Sequence, residues 1–228
     1  MIACFIEDIY PEEIEVEGEA FIHLNSSLRV KVDDEVLILD GRGGTRRTRV
    51  KSIGKKKLFL ESGSVETKKR SFNLDLLISP PKRDAFNDCL RFCAEIGIRN
   101  IYTFESEYCQ NKKIDEQRCL KVLKSALIQS NNPFLPNLIK LGKNINLETD
   151  YQKSFLFHLN QEIPTKEEKL EKDKDYLLII GPEGGFSEID TEYLKTNINA
   201  LELIQLPTPI MRAPTALCVA SGWILSKI

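Results

Sequence analysis

The chain has 228 residues, 42% hydrophobic and 29% charged, with a formal net charge of −2 at pH 7. That apolar fraction suffices for a globular core in one large domain or two small ones, and the near-neutral balance excludes a uniformly basic surface. No stretch approaches the roughly 20 apolar residues that span a bilayer, and the N-terminus has neither a basic-then-apolar leader nor a cleavage site, so a cytoplasmic protein without membrane association is expected.

Residues 1 to 70 read as all-β, with short strands at 4–6, 13–16, 35–39, 45–52 and 58–61 separated by glycine and aspartate turns. That spacing points to a small barrel. Basic residues concentrate there, including Arg29, Lys31, Arg42, Arg46 and Arg47, with few acids between them. Such a stripe releases counterions from a nucleic-acid backbone, so RNA contact is expected from these five and from Lys82 and Arg83 just beyond. For any single one of them, a solvated strand face is the competing reading.

A hinge at 71–73 leads to an apolar strand at 74–78 that ends in Ser-Pro-Pro-Lys-Arg. Residues 84–96 form a helix with Ala85, Cys89, Phe92, Cys93 and Ile96 at helical spacing, stopped by Gly97. A strand at 101–104 completes a βαβ unit. A second helix at 115–129 breaks at Asn131-Asn132-Pro133, and strands follow at 138–141 and 154–159. Residues 71–228 are therefore expected to be an α/β domain with a mostly parallel sheet. The six cysteines, at 4, 89, 93, 109, 119 and 218, lack metal-ligand spacing, as do the two histidines. Buried free thiols are expected, and no metal site.

Residues 176–187, Tyr-Leu-Leu-Ile-Ile-Gly-Pro-Glu-Gly-Gly-Phe-Ser, are the stretch that organises the chain. Five apolar residues make a fully buried strand, Pro182 cannot extend its ladder, and Gly184 and Gly185 permit a sharp turn. Ser187, with Asp190 three residues on, caps a helix running to about Lys195. Strand, glycine turn and helix place backbone N–H groups and the Glu183 carboxylate at the carboxyl edge of a sheet, where open α/β folds bind ligands. Downstream, a strand at 203–206 enters a proline-stiffened loop, and an apolar helix starts at about Pro214. There is no GxGxxG fingerprint for a dinucleotide.

Gly-Pro-Glu-Gly-Gly-Phe-Ser at 181–187, followed by Ile-Met-Arg-Ala-Pro-Thr-Ala at 210–216, resembles the RsmE family. These are SPOUT-class methyltransferases that methylate N3 of a uridine in 16S, small-subunit, ribosomal RNA. Residues 22–44 also resemble the family's N-terminal PUA-like domain, in which a pair matching Leu28 and Arg29 belongs to the RNA-binding face. The resemblance implies a PUA-like barrel at 1–70 and, at 71–228, a parallel-sheet domain with a C-terminal trefoil knot that binds S-adenosylmethionine and pairs as a homodimer. The cofactor pocket would take Leu159, Ile180, Gly181, Pro182, Gly184 and Gly185 from one side and Leu206, Pro209, Ile210, Met211 and Ala213 from the other. Glu183 would act as base or base-orienter, or alternatively cap the following helix. Arg212 would stabilise the uracil anion, and Glu95 would stand in the substrate wall or at a helix end. The chain departs from the family by Asp33 for a usual Gly, by Phe92 for a Lys, at Asn132, and by Pro207, Pro209 and Pro214 for charged or small residues. Methylation of another RNA, or RNA binding without catalysis, are the alternative readings.

Overall fold

The computed structural model describes residues 2–157 and 169–228. They group into two compact units: the residues through Arg70 together with Lys124–Leu135, and Ser71–Leu123 together with Pro136–Ile228.

In the first unit, β1 (Ile2–Phe5), β2 (Glu13–Glu17), β3 (Glu35–Leu39), β4 (Gly44–Ile53) and β5 (Lys57–Thr67) form one sheet in the order β1-β3-β4-β5-β2. All pairs are antiparallel except β1 with β3. Ile14 and Val16 turn inward between exposed Glu13, Glu15 and Glu17, and join Val36, Ile38, Val50, Leu58 and Leu60 in the core. This is the period-two alternation that a sheet covered on one face requires.

The expectation of an all-β region fails at residues 18–27. There, α1 (Gly18–Ile22) continues as a π-helical turn (His23–Ser27) and buries Phe21 and Leu24. Three residues apart, these side chains share one face of a helix, whereas a strand would turn one of them outward. The turn closes with the Val30 N–H on the Leu24 carbonyl at 3.1 Å, and Arg29 takes a left-handed φ of 54°. Asp33, at the position where the resemblance leads one to expect a Gly, also has a left-handed φ, 72°. Aspartate is among the side chains that tolerate this region, which accounts for the substitution.

Arg46 does not belong to an RNA-contacting surface. It is 6% exposed. Its Nη1 donates to the carbonyls of Ile9 (2.5 Å) and Pro11 (2.6 Å), and its Nε to that of Gly63 (2.9 Å). A charged fork satisfied by three backbone carbonyls holds the sheet together from within. Gly63 lets the β4 backbone come close to β5 at this point, because a Cβ there would lie 2.5 Å from the Arg47 carbonyl oxygen.

In the second unit, β6 (Asn73–Ile78), β7 (Asn100–Phe104), β8 (Asn137–Gly142), β9 (Lys153–Phe157), β10 (Asp175–Ile180) and β11 (Leu201–Ile204) form a six-stranded sheet in the order β11-β9-β10-β6-β7-β8. Every pair is parallel. Residues 176–180 are all buried, which is why β10 reads as an uninterrupted apolar run. Each such side chain contributes on the order of 1.5–3 kcal/mol by burial. Leu206, expected in the last strand, lies in the loop after β11.

The helices are α2 (Arg83–Ile96), α3 (Glu116–Ser130), α4 (Glu188–Asn197) and α5 (Ala213–Leu225), with residues from Lys124 onward in α3 grouping with the first unit. The inward face of α2 carries Phe86, Cys89, Leu90, Cys93 and Ala94, and Ala85 and Phe92 are only half-buried. This helix packs on α5. All six cysteines are free thiols, five of them buried and Cys218 half-buried. Burial pushes the Cys4 and Cys89 thiols up to about 12.

Towards the amino ends of the strands, Asp75 is fully buried within a polar network. Arg99 donates from Nε and Nη2 to its two carboxylate oxygens, each at 2.9 Å, and Arg99 Nη1 meets Asp175 at 2.6 Å. Asn100 adds its backbone N–H at 3.0 Å and its side-chain amide at 3.1 Å, and the Tyr151 hydroxyl donates at 2.7 Å. Burial, followed by the charge of Asp75, pushes the Tyr151 phenol up and keeps it a donor.

Candidate active site

The last residues of β9, β10 and β11, namely Phe157, Ile180 and Ile204, line a cavity of about 240 Å³. Three strand ends distant in sequence thus meet at the carboxyl edge of one parallel sheet, the usual ligand position in open α/β folds. The loop after β10 adds Gly181 to Phe186. The loop after β11 adds Leu206, Thr208, Ile210 and Met211, and α5 adds Ala213 and Ala216.

The glycine turn is built locally. The Gly185 N–H bonds to the Pro182 carbonyl at 2.9 Å, and Gly185 has a left-handed φ of 72°, which a side chain rarely adopts. The N–H groups of Glu183 and Gly184 have no partner among the described residues. Immediately afterwards, Ser187 and Asp190 form a reciprocal capping box that starts α4.

Glu183 does not cap α4. Its Oε1 accepts the backbone N–H of Lys82 at 3.1 Å, at the N-cap position of α2, so its partner lies 101 residues back in the chain. A carboxylate suits the positive end of a helix. Arg212 is exposed and occupies the N-cap position of α5, where its carbonyl accepts the Ala216 N–H at 2.9 Å. Its guanidinium makes no hydrogen bond or ion pair among the described residues. Its two neighbours, Met211 and Ala213, line the cavity.

Of the residues expected to hold a cofactor, Ile180, Gly181, Pro182, Gly184, Gly185, Leu206, Ile210, Met211 and Ala213 surround this one cavity. Pro209 is exposed and outside its wall, and Leu159 lies outside the described residues. Sequence reasoning missed Phe157, Phe186, Ile204, Thr208 and Ala216. Phe157 and Ile204 were discoverable as the ends of neighbouring strands, and Ala216 as the residue almost one helical turn beyond Ala213.

Residues 68–225 match the family model of the RNA methyltransferase domain. The chain belongs to that family. Residues 16–61 match the RNA methyltransferase PUA domain, in agreement with the RsmE resemblance of both halves. The ribosomal RNA small subunit methyltransferase E of Rickettsia conorii is 25% identical over 222 residues, covering 91% of this chain and 87% of that protein. The protein of the same name from Helicobacter pylori strain J99 is 26% identical over 213 residues, covering 90% and 91%. The fold matches the Neisseria gonorrhoeae ribosomal RNA small subunit methyltransferase E, crystallised with S-adenosyl methionine, with a TM-score of 0.83 at 20% identity over 99% of this chain and 97% of that one.

The other cations expected to meet RNA differ from Arg46 in being exposed. Arg29, Lys31, Arg42 and Arg47 are exposed in the first unit, and Lys82 and Arg83 are exposed at the start of α2 in the second. Glu95 is exposed in the last turn of α2, outside the cavity wall. Pro214 occupies the first turn of α5, where its missing N–H breaks no helical bond.

Proposed function

We propose that this chain transfers a methyl group from S-adenosylmethionine to N3 of a uridine in 16S ribosomal RNA, as a cytoplasmic homodimer with a C-terminal trefoil knot. The observation that carries the reading is the cavity at the carboxyl edge, walled by the Gly-Pro-Glu-Gly-Gly turn and by Met211 and Ala213, the sequence neighbours of Arg212. The names of its relatives supply the RNA.

The wall suits the cofactor. Ile180, Ile204, Leu206 and Ile210 offer aliphatic surface to a purine, and the uncommitted N–H groups of Glu183 and Gly184 offer donors to its polar groups. Glu183 is the only ionisable residue among the described ones lining the cavity, so no cation there opposes a positively charged sulfonium. Bound there, S-adenosylmethionine would supply an electrophilic methyl group.

Uracil N3 carries a proton that must leave as the N–C bond forms. Glu183 would accept or direct that proton, and Arg212 would stabilise the negative charge spreading to the uracil oxygens. Arg29, Lys31, Arg42, Arg47, Lys82 and Arg83 would take backbone phosphates.

Strand order supports the knot. The chain passes from β10 across β9 to β11, then returns to set α5 against β10 and α2, and Leu170, ahead of β10, donates its N–H to the Lys227 carbonyl at 2.7 Å. A trace of residues 153–228 in experimental density tests it. The outer face of α5 supports the dimer, since Val219 is 37% exposed beside exposed Gly222. Sedimentation is expected to give twice the 26.0 kDa chain mass, and a monomer at micromolar concentration would refute the dimer.

The reaction is tested by incubating the protein with methyl-labelled S-adenosylmethionine and small ribosomal subunits lacking the modification. Label recovered as N3-methyluridine in 16S RNA is the expected result. Cofactor binding without any transfer to RNA would overturn it.

A further inference from the structure

Tyr108 stands in the loop between β7 and α3, against the glycine turn. A methyl group added to Gly184 would sit 3.3 Å from its Cβ and 3.5 Å from Cγ and Cδ2, so the Tyr108 side chain lies directly on the backbone of a cavity-wall residue. Yet it is 44% exposed, and its hydroxyl has no partner among the described residues.

The loop on either side is tied down. Before Tyr108, the Glu107 N–H bonds to the Asp190 carboxylate at 3.2 and 3.3 Å, and the hydroxyl of buried Ser106 meets that of Ser79 at 2.6 Å. After it, the Gln110 and Asn111 N–H groups converge on the Pro80 carbonyl at 3.2 and 3.3 Å, and the Gln110 side chain donates to the Tyr108 carbonyl at 3.0 Å. The backbone is thus fixed while a large aromatic face stays wet. Ordering entropy that a free loop would lose on binding is already lost here.

We propose that the Tyr108 ring is the platform on which the target uracil stacks beside the cavity. The inference rests on the methyltransferase reading of that cavity and adds a residue that positions the substrate. Every base has a π-face, and an exposed aromatic ring held rigidly beside a pocket is how proteins hold an unpaired base. The phenol hydroxyl is free to bond to the ribose or phosphate of the same nucleotide.

The test compares wild type, Tyr108→Ala and Tyr108→Phe for methyl transfer to small ribosomal subunits, with S-adenosylmethionine affinity measured by calorimetry. Tyr108→Ala is expected to raise KM for the subunit roughly tenfold to a hundredfold, the loss of about one base stack, with a smaller change in kcat and unchanged cofactor affinity. Tyr108→Phe is expected to restore KM to within about threefold, because it keeps the π-face. Wild-type transfer with an unchanged KM in Tyr108→Ala overturns the stacking role and leaves the reaction standing. Weakened cofactor binding in Tyr108→Ala would place the ring against the cofactor and also overturn it. Absence of transfer by the wild type would overturn both readings.

Discussion

Arg212→Ala is expected to lower kcat for methyl transfer about a hundredfold to a thousandfold, the usual cost of removing one group aimed at developing charge. Its affinity for S-adenosylmethionine should stay within about threefold of wild type, since stabilising a charge that appears only during reaction leaves ground-state binding alone. The substitution is a clean probe, because Arg212 is exposed, its guanidinium makes no hydrogen bond or ion pair among the described residues, and it serves α5 through its backbone. Folding should therefore be unaffected. Glu183 is a less clean target, because its carboxylate also accepts the Lys82 N–H at the start of α2, and its loss would cost about 1 kcal/mol of stability as well. Single-turnover transfer rates with both variants decide the matter. An Arg212→Ala enzyme with a wild-type rate would remove that residue from the reaction.

Asp75→Ala is expected to lower the unfolding free energy by about 3–5 kcal/mol, a large share of the roughly 5–15 kcal/mol that holds a typical domain together. Asp75 is fully buried and accepts five hydrogen bonds, from Arg99, Asn100 and Tyr151. Its removal strands the Arg99 guanidinium against Asp175 alone and leaves the buried Tyr151 hydroxyl without its acceptor. The double variant Asp75→Leu with Arg99→Leu should recover part of that loss, because an apolar pair of similar volume needs no mutual solvation. Urea denaturation of the three proteins measures both effects. A loss under about 1 kcal/mol in the single variant would mean that the network is not structural.

Much of the second unit is legible in one dimension, because its signals are local. The buried strand before Gly181, the glycine turn, the Ser187–Asp190 cap and the proline at the start of α5 each depend on neighbours within a few residues, and each appears where the residues direct. Nine of the eleven residues that the resemblance implies for the cofactor line one cavity, and seven of those nine lie within two short motifs. The helical segment at 18–27 escaped because ten residues with two buried side chains carry too little periodicity to outweigh the strands around them.

What required the fold was everything set by strand order and facing. Arg46 and Arg47 are adjacent in one basic run, yet the first is buried on three carbonyls and the second is exposed, since successive residues of a strand point to opposite faces. Alternation of Thr48 and Val50 with Arg49 and Lys51 marks the core face, but the carbonyls that let an arginine sit on it come from Ile9, Pro11 and Gly63, which only the fold brings there. Phe157, Ile180 and Ile204 become one wall, Glu183 meets Lys82, and Tyr108 meets Gly184 only because parallel pairing brings together chain segments separated by 23 to 101 residues. Local propensity governs turns and caps through short-range sterics and hydrogen bonds. The ligand site arises where distant strand ends converge, and that convergence is decided by how the whole sheet buries its apolar surface.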